Sequence, residues 1–242
     1  MRPLITFLSD FGTSDAYPAQ VKAVILSGVP DAVIVDITHE VHPYAVLSAA
    51  WIISTTYSYF PRGTFHLAVV DPGVGTARDV LIVRKDGHTF IGPDNGLFSF
   101  LYPAEEVIEV LWRPRNSISP TFHGRDVFAP LLVKAVLEPG FKELGRPKTD
   151  PVRLDTGSPM VVHIDRFGNI VTNIDCSHLE KGCIVRIGDR DIVSIARTYA
   201  ELPEGGLGLV CSSASTIEIT ANQGSAARML GAFVGMPVAL SQ

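Results

Sequence analysis

Through about residue 145 the sequence alternates short β-branched runs with stretches of helical length. This alternation constrains the fold more than any other feature. A strand that leads into a helix and then into another strand has to cross over to a parallel neighbour, so the pattern predicts a mainly parallel sheet covered by helices. Residues 4–9, 32–38 and 64–70 read as strands, and 16–28 and 44–59 as the helices between them. Residues 79–84 and 88–91, joined at Asp86-Gly87, read as a hairpin, because Asp-Gly is the turn whose two central residues tolerate positive φ. A further strand is expected at 107–112. A helix is expected at 124–137, distorted by Pro130, which has no N–H to donate.

From residue 146 to 159 the composition shifts to Pro147, Pro151 and Pro159 among Thr, Ser, Gly and Asp, a stiff connection between units. The expected domains are therefore 1–150, an α/β unit, and 151–242. In the second, short runs at 160–164, 170–174, 184–187, 191–195, 208–211 and 216–220 are separated by turns, the pattern of a small antiparallel β-barrel or sandwich.

Composition excludes several classes of function. Of 242 residues 46% are hydrophobic and 19% charged, too apolar for a disordered chain. The net charge of −5 comes with no basic stripe, so no nucleic-acid partner is expected. No apolar run reaches the roughly 20 residues of a membrane helix, and no secretory signal is expected. Three cysteines, Cys176, Cys183 and Cys211, lack CxxC spacing. They read as small buried hydrophobes in a reduced, cytoplasmic protein, with neither a disulfide framework nor a zinc site. The histidines show no HxxxH or HExxH spacing, so no metal is expected.

In open α/β sheets ligands collect beyond the carboxyl ends of the strands. Those ends here run into Ser9-Asp10-Phe11-Gly12, Thr38-His39-Glu40, Asp71-Pro72-Gly73-Val74-Gly75 and Gly92-Pro93-Asp94-Asn95-Gly96. An Asp after a strand suits a ribose diol, since one carboxylate accepts two parallel hydroxyl hydrogen bonds, although turn formation is the commoner role. Gly73-Val74-Gly75 completes neither GxGxxG nor GxxxxGK[ST], which argues against dinucleotide and P-loop binding. Arg78, seven residues after Asp71, is close enough to pair with it. His123 opens the helix expected at 124–137, where the positive end of the helix dipole favours neutral imidazole. The Asp165-to-Asn169 segment reads as a tight hairpin connection.

Taken together, FLSDFGTSDAY, VVDPGVGTARD, IGPDNGL, TFHGRDVFAP, HIDRFGNIVTNI and CSSASTIEITANQGSAA, in this order and spacing, resemble the S-adenosyl-L-methionine (SAM) hydroxide adenosyltransferases, relatives of the fluorinase and chlorinase enzymes. The resemblance covers essentially the whole chain. It implies an N-terminal α/β domain, a C-terminal β-barrel domain and a homotrimer whose sites lie between the N-domain of one subunit and the C-domain of its neighbour. It implies hydrolysis of SAM to adenosine and L-methionine without a cofactor. The hydroxide-generating set falls on Asp71, Arg78 and His123, with either Asp71 or His123 as the proton acceptor. Among substrate contacts, Asp10 matches the ribose-binding aspartate and Asp165 the residue receiving the methionine ammonium. Asn169 matches an adenine-side contact, Ser212 a methionine carboxylate contact, and the loop 222–224, centred on Gln223, a source of backbone contacts to adenine. Tyr44 falls where an aromatic lies near adenine, and Gly124 adjoins His123 at the nucleophile site.

Two other functions compete with hydrolysis. In a halogenase Asp71 would be a tyrosine; in the fluorinase type His123-Gly124 would be Tyr-Ser and the segment between Asp79 and Ile91 would carry an extra loop, for which it is too short here; Gly124 itself is shared with the chlorinase type. A charged Asp71 repels chloride and can hydrogen-bond water. A non-catalytic SAM or adenosine sensor would have no use for Asp71, Arg78 and His123 together beyond the ribose.

Overall fold

The computed structural model describes residues 2–114, 117–138, 140–179 and 182–241. The chain divides into two compact units, Met1–Leu154 and Asp155–Gln242.

The first unit contains β1 (Leu4–Ser9), α1 (Tyr17–Gly28), β2 (Val33–Thr38), α2 (Val46–Thr56), β3 (Phe65–Val69), β4 (Val80–Lys85), β5 (His88–Pro93), β6 (Glu106–Val110), α3 (Ala129–Leu137) and β7 (Gly145–Pro147). The strands form one sheet in the order β2-β1-β3-β5-β4-β6-β7. β2, β1, β3 and β5 run parallel, β4 is antiparallel to β5, β6 to β4, and β7 to β6, so five of the seven strands point one way.

Strand periodicity sends alternate side chains to opposite faces. Ile5, Phe7, Leu67, Val69, Ile82 and Ile91 pack with Val21 and Ile25 of α1 and Leu131 and Leu132 of α3. Leu8, Ala68, Val70, Leu81 and Phe90 pack on the other face with Ala49 and Ile53 of α2. Burying one such Ile, Leu or Phe contributes about 1.5–3 kcal/mol, and these two apolar layers fix the sheet between its helices.

Several boundaries differ from expectation for local reasons. Tyr44 has φ of 67°, which no right-handed helix admits, so the helix expected at 44–59 begins at Val46 and ends in a 3-10 turn, Tyr57–Tyr59. The Asp86-Gly87 turn has φ of 53° and 80°, as its hairpin needs. The helix expected at 124–137 opens as a π-helical turn, Gly124–Phe128, in which the Ala129 N–H reaches back to the Gly124 carbonyl; regular α-helix starts only where Pro130 sits in the first turn. A polar chain is buried in the sheet: Thr6 Oγ1 lies 2.7 Å from His66 Nδ1, and His66 Nε2 lies 3.0 Å from His88 Nδ1.

The second unit contains β8 (Val161–Ile164), β9 (Ile170–Asp175), β10 (Ile184–Ile187), β11 (Arg190–Ile192), β12 (Leu207–Cys211), β13 (Thr216–Ala221), α4 (Ala226–Leu230) and β14 (Val238–Ser241). Two antiparallel sheets, β12-β13-β9-β8 and β11-β10-β14, share one core that includes Val161, Ile170, Val185, Leu209, Ile217 and Ile219. α4 and β14 are additional to the expected elements, and β11 ends at Ile192 rather than at the expected Ile195.

Two of the three cysteines are not the isolated buried thiols expected. Cys176 and Cys211 form a disulfide with Cα atoms 5.5 Å apart, and only Cys183 is a free, buried thiol. The partners are 35 residues apart. They meet because β9 and β12 flank β13, whose register sets Asp175 opposite Thr216 and Cys211 opposite Ile217. Among the described residues, no helix is long and apolar enough to cross a membrane.

Candidate active site

The sheet order makes β1 the point where the chain reverses: α1 carries it to β2 on one side, and α2 returns it to β3 on the other. Ligands bind at such a switch, outside the carboxyl ends of the strands. Ser9 of β1 and Val69 of β3 are paired, so Asp10 and Asp71 follow them onto one rim. A pocket of about 320 Å³ opens there. Of the residues expected in the N-terminal half, Asp10, Tyr44, Asp71, His123 and Gly124 line it.

Arg78 lies behind this wall and binds two of its members. Its Nε is 2.7 Å and 2.9 Å from the two Asp71 carboxylate oxygens, and its Nη2 also bonds Asp71 Oδ2. The same Nη2 lies 3.0 Å from His123 Nδ1. Arg78 and Asp71 keep 10% and 5% of their side-chain exposure, so the pairing expected from their spacing is a sheltered, bidentate one. An arginine can only donate, so His123 Nδ1 accepts and the neutral ring carries its proton on Nε2. Burial and then the neighbouring guanidinium hold His123 below the ordinary histidine pKa, which keeps that tautomer at neutral pH.

Two glycines let the loops close around these groups. Gly75 has φ of +79°, and a Cβ there would come within 2.5 Å of the Pro120 carbonyl oxygen, so the turn after Asp71 can lie directly on the loop that leads to His123. A Cβ on Gly124 would meet the Phe11 ring at 3.0 Å. Asp10 accepts the Tyr44 N–H at Oδ2 (2.9 Å); burial raises its pKa against that bond, with the nearby Asp71 charge adding to the rise.

An aromatic wall that no sequence pattern marks borders the pocket. Phe122 meets Phe11 and Tyr17 edge-on, and Phe11 and Tyr17 are tilted against each other, with ring centroids 5.1–6.0 Å apart; all three line the pocket. Asp126 was not singled out either: it holds the His123 loop by accepting the Ser119 N–H at 2.9 Å and pairing with Arg125, whose guanidinium lies 5.0 Å from the Phe122 ring centre. The GRD that follows His123 was the available signal.

The second unit has its own pocket, of about 460 Å³. Asn169 and Gln223 line it, together with Phe167, Tyr199 and Thr220. The Asn169 amide donates to Asp165 Oδ2 (2.9 Å) and accepts from Thr220 Oγ1 (2.5 Å). Tyr199 donates to Glu218 Oε1 at 3.0 Å; burial and this partner push the phenol up to about 12 and burial also raises Glu218. Two expected contacts are not on this wall. Asp165 accepts the N–H groups of Phe167 and Asn169 and shapes the hairpin turn, while the Ser212 hydroxyl accepts the N–H groups of Ala214 and Thr216 in the β12–β13 turn. Tyr199 and Phe167 were not singled out from sequence, because an isolated aromatic in a loop has no pattern to mark it.

Comparison with known proteins gives a consistent picture. The model of the SAM hydroxide adenosyltransferase N-terminal domain matches residues 5–145, and that of the C-terminal domain matches residues 159–239. The chain is 38% identical to an (R)-S-adenosyl-L-methionine hydrolase from Thermus thermophilus, over 99% of this chain and 100% of that one. It is 32% identical to a fluorinase from Nocardia brasiliensis over 74% of each. A crystal structure of an uncharacterized conserved protein from Thermotoga maritima superposes with a TM-score of 0.90 at 31% identity, covering 98% of this chain and all of that one.

Proposed function

The chain belongs to the SAM hydroxide adenosyltransferase family, and from that membership we propose that it is an enzyme that hydrolyses S-adenosyl-L-methionine to adenosine and L-methionine. The observation that carries this reading is the single Arg78 guanidinium bonded to both Asp71 and His123 on the rim that also bears Asp10.

Attack at C5′ expels a neutral thioether from a sulfonium, so the leaving group needs no proton and catalysis reduces to placing and activating water. Water oxygen bonds C5′, the C5′–S pair stays on sulfur as methionine, and the water proton goes to a base. With Nδ1 engaged by Arg78 and Nε2 already protonated, His123 has no free lone pair. The proton therefore passes to Asp71, while the His123 Nε2–H orients the water and Arg78 stabilises the developing hydroxide. Asp10 would grip the ribose diol with the carboxylate capacity that Tyr44 leaves free. Two carboxylates against one guanidinium leave this rim net negative, which suits a cationic substrate and opposes a halide nucleophile.

The second pocket supplies what an adenine needs, aromatic faces from Tyr199 and Phe167 and amides from Asn169 and Gln223. We extend the family pattern to a homotrimer that brings this pocket to the charged one of a neighbouring subunit, with Asp165 and Ser212 serving the methionine end. Light scattering of the purified protein tests the trimer. The relatives' names specify the R form at sulfur, and the same preference is expected here. A cytoplasmic location is expected of an enzyme for this substrate and is tested by fractionation. The Cys176–Cys211 link stands against it, because reducing compartments keep such thiols apart.

The decisive experiment is turnover of SAM in 18O-water. Adenosine labelled at O5′ together with methionine is expected. Unlabelled adenosine, or substrate that stays bound and intact, overturns hydrolysis, and 5′-chloro-5′-deoxyadenosine formed in high chloride would show a halogenase instead.

A further inference from the structure

His39, which the mechanism above does not use, sits at the centre of a relay that runs from the partly exposed Lys22–Asp36 pair to the buried Ser9 beside Asp10. Its Nδ1 lies 2.7 Å from Ser9 Oγ, its Nε2 lies 3.1 Å from Asp36 Oδ1, and Asp36 Oδ2 lies 2.5 Å from Lys22 Nζ. The direction of each bond follows from the partners. The Asp36 carboxylate, 3.1 Å from Nε2 but not aligned for a hydrogen bond, favours a proton on that nitrogen, so Nδ1 accepts from the Ser9 hydroxyl, whose oxygen also accepts the Phe11 N–H at 3.4 Å. Burial holds His39 below the ordinary histidine pKa, although Asp36 and Glu40 oppose that shift and Lys22 adds to it. The Phe7 ring packs edge-on against the imidazole at 4.6 Å.

Asp, His and Ser in this order suggest a nucleophilic serine, but the geometry does not. Ser9 is fully buried and is not on the pocket wall. What the relay touches is the backbone around Asp10: the Ser9 side chain precedes it, the Phe11 N–H follows it, and the Gly12 N–H donates to the His39 carbonyl at 2.7 Å. Asp10 itself has one further anchor, the Tyr44 N–H on Oδ2.

We propose that His39, acting through Ser9, is a positioning residue that aims the Asp10 carboxylate at the 2′ and 3′ hydroxyls of the ribose. The proposal rests on the assignment of Asp10 to that diol. A ligand lacking the hydroxyls would not sense the relay, whereas a merely structural defect would weaken all ligands alike.

Calorimetric binding of adenosine and of 2′,3′-dideoxyadenosine to the full-length protein tests it. The wild type is expected to prefer adenosine. His39→Leu should lose about tenfold in adenosine affinity, the value of one well-placed hydrogen bond, and less than about twofold for the dideoxy compound. His39→Asn, whose amide oxygen can replace Nδ1 as acceptor, should restore most of the preference. Ser9→Ala removes the same bond from the other end with little change in volume and decides the matter if His39→Leu does not fold. Folded variants that keep the wild-type ratio, or lose both ligands equally, overturn the proposal. A wild type with no preference for adenosine, or Asp10→Asn that keeps the preference, overturns the ribose assignment and the proposal with it.

Discussion

The pocket of the first unit sets charges that bind one another beside an aromatic wall, and the pocket of the second is lined by aromatic rings and amides together with Arg228. Asp71, Arg78 and His123 are tied together before any ligand arrives, and few atoms of the Asp71–Arg78 pair meet water. Electrostatic groups stabilise a transition state best when they are already in place, because no reorganisation is then needed during the reaction. Tyr199, Phe167, Asn169 and Gln223 instead offer shape and neutral hydrogen bonds, which bind ground state and transition state about equally. The scaffolds match these tasks. The parallel strands of the first sheet deliver two carboxylates to one rim, whereas the second unit borders its pocket with the β8–β9 hairpin turn and the loops around β13.

This division of labour can be broken experimentally. Asp71→Asn removes the base and should lower kcat by about 10²- to 10⁴-fold, with adenosine affinity changed only a few-fold. Steady-state kinetics with calorimetry checks it, and a change confined to KM would erase the contrast between the pockets. The disulfide separates the units by stability. Cys176→Ser should cost about 2–4 kcal/mol of unfolding free energy, seen by hydrogen exchange as lost amide protection in β9, β12 and β13 while the seven-stranded sheet keeps its own. Tyr199→Ala should raise KM by about 10- to 100-fold, the worth of one base-stacking ring, and leave kcat near wild type.

The smallest effect is on acid stability. His66 is buried as neutral imidazole with its pKa lowered to about 3, and burial also lowers His88. The unfolded chain protonates these groups near 6.5 while the folded chain does not, so stability is lost as pH falls below 6.5. Between pH 6.5 and 5.5 the loss is about 1 kcal/mol for His66 alone. The first unit holds His39, His66, His88 and His123 with lowered values and the second holds His163, so the first should be the more acid-sensitive. Denaturant unfolding at the two pH values, followed by Trp51 and Trp112 in the first unit, measures it; His66→Gln should flatten the profile.

Much of this molecule was readable in advance where the signal is local. The alternation at β1, β2 and β3, the Asp-Gly hairpin and the distortion near Pro130 depend on residues within a few positions of one another. Asp10, Asp71 and His123 stood out because each follows a strand or opens a helix. Phe11, Tyr17 and Phe122 did not, since their contact needs three segments up to 111 positions apart to meet. Asp165 and Ser212 were assigned by resemblance, and the structure shows their carboxylate and hydroxyl also accepting turn N–H groups, a local role that spacing does not reveal.

Periodicity and turn chemistry determined the parallel α/β half, the antiparallel half and the motifs on each strand end, because backbone propensity and face alternation act over a handful of residues. Only the tertiary structure decided which groups meet. Arg78 meets His123 across 45 residues, His39 meets Ser9 across 30, and Cys176 meets Cys211 across 35. Each meeting joins segments at or beyond strand ends that the sequence presents only in order, so it depends on which strands pair and which loops the sheet brings together.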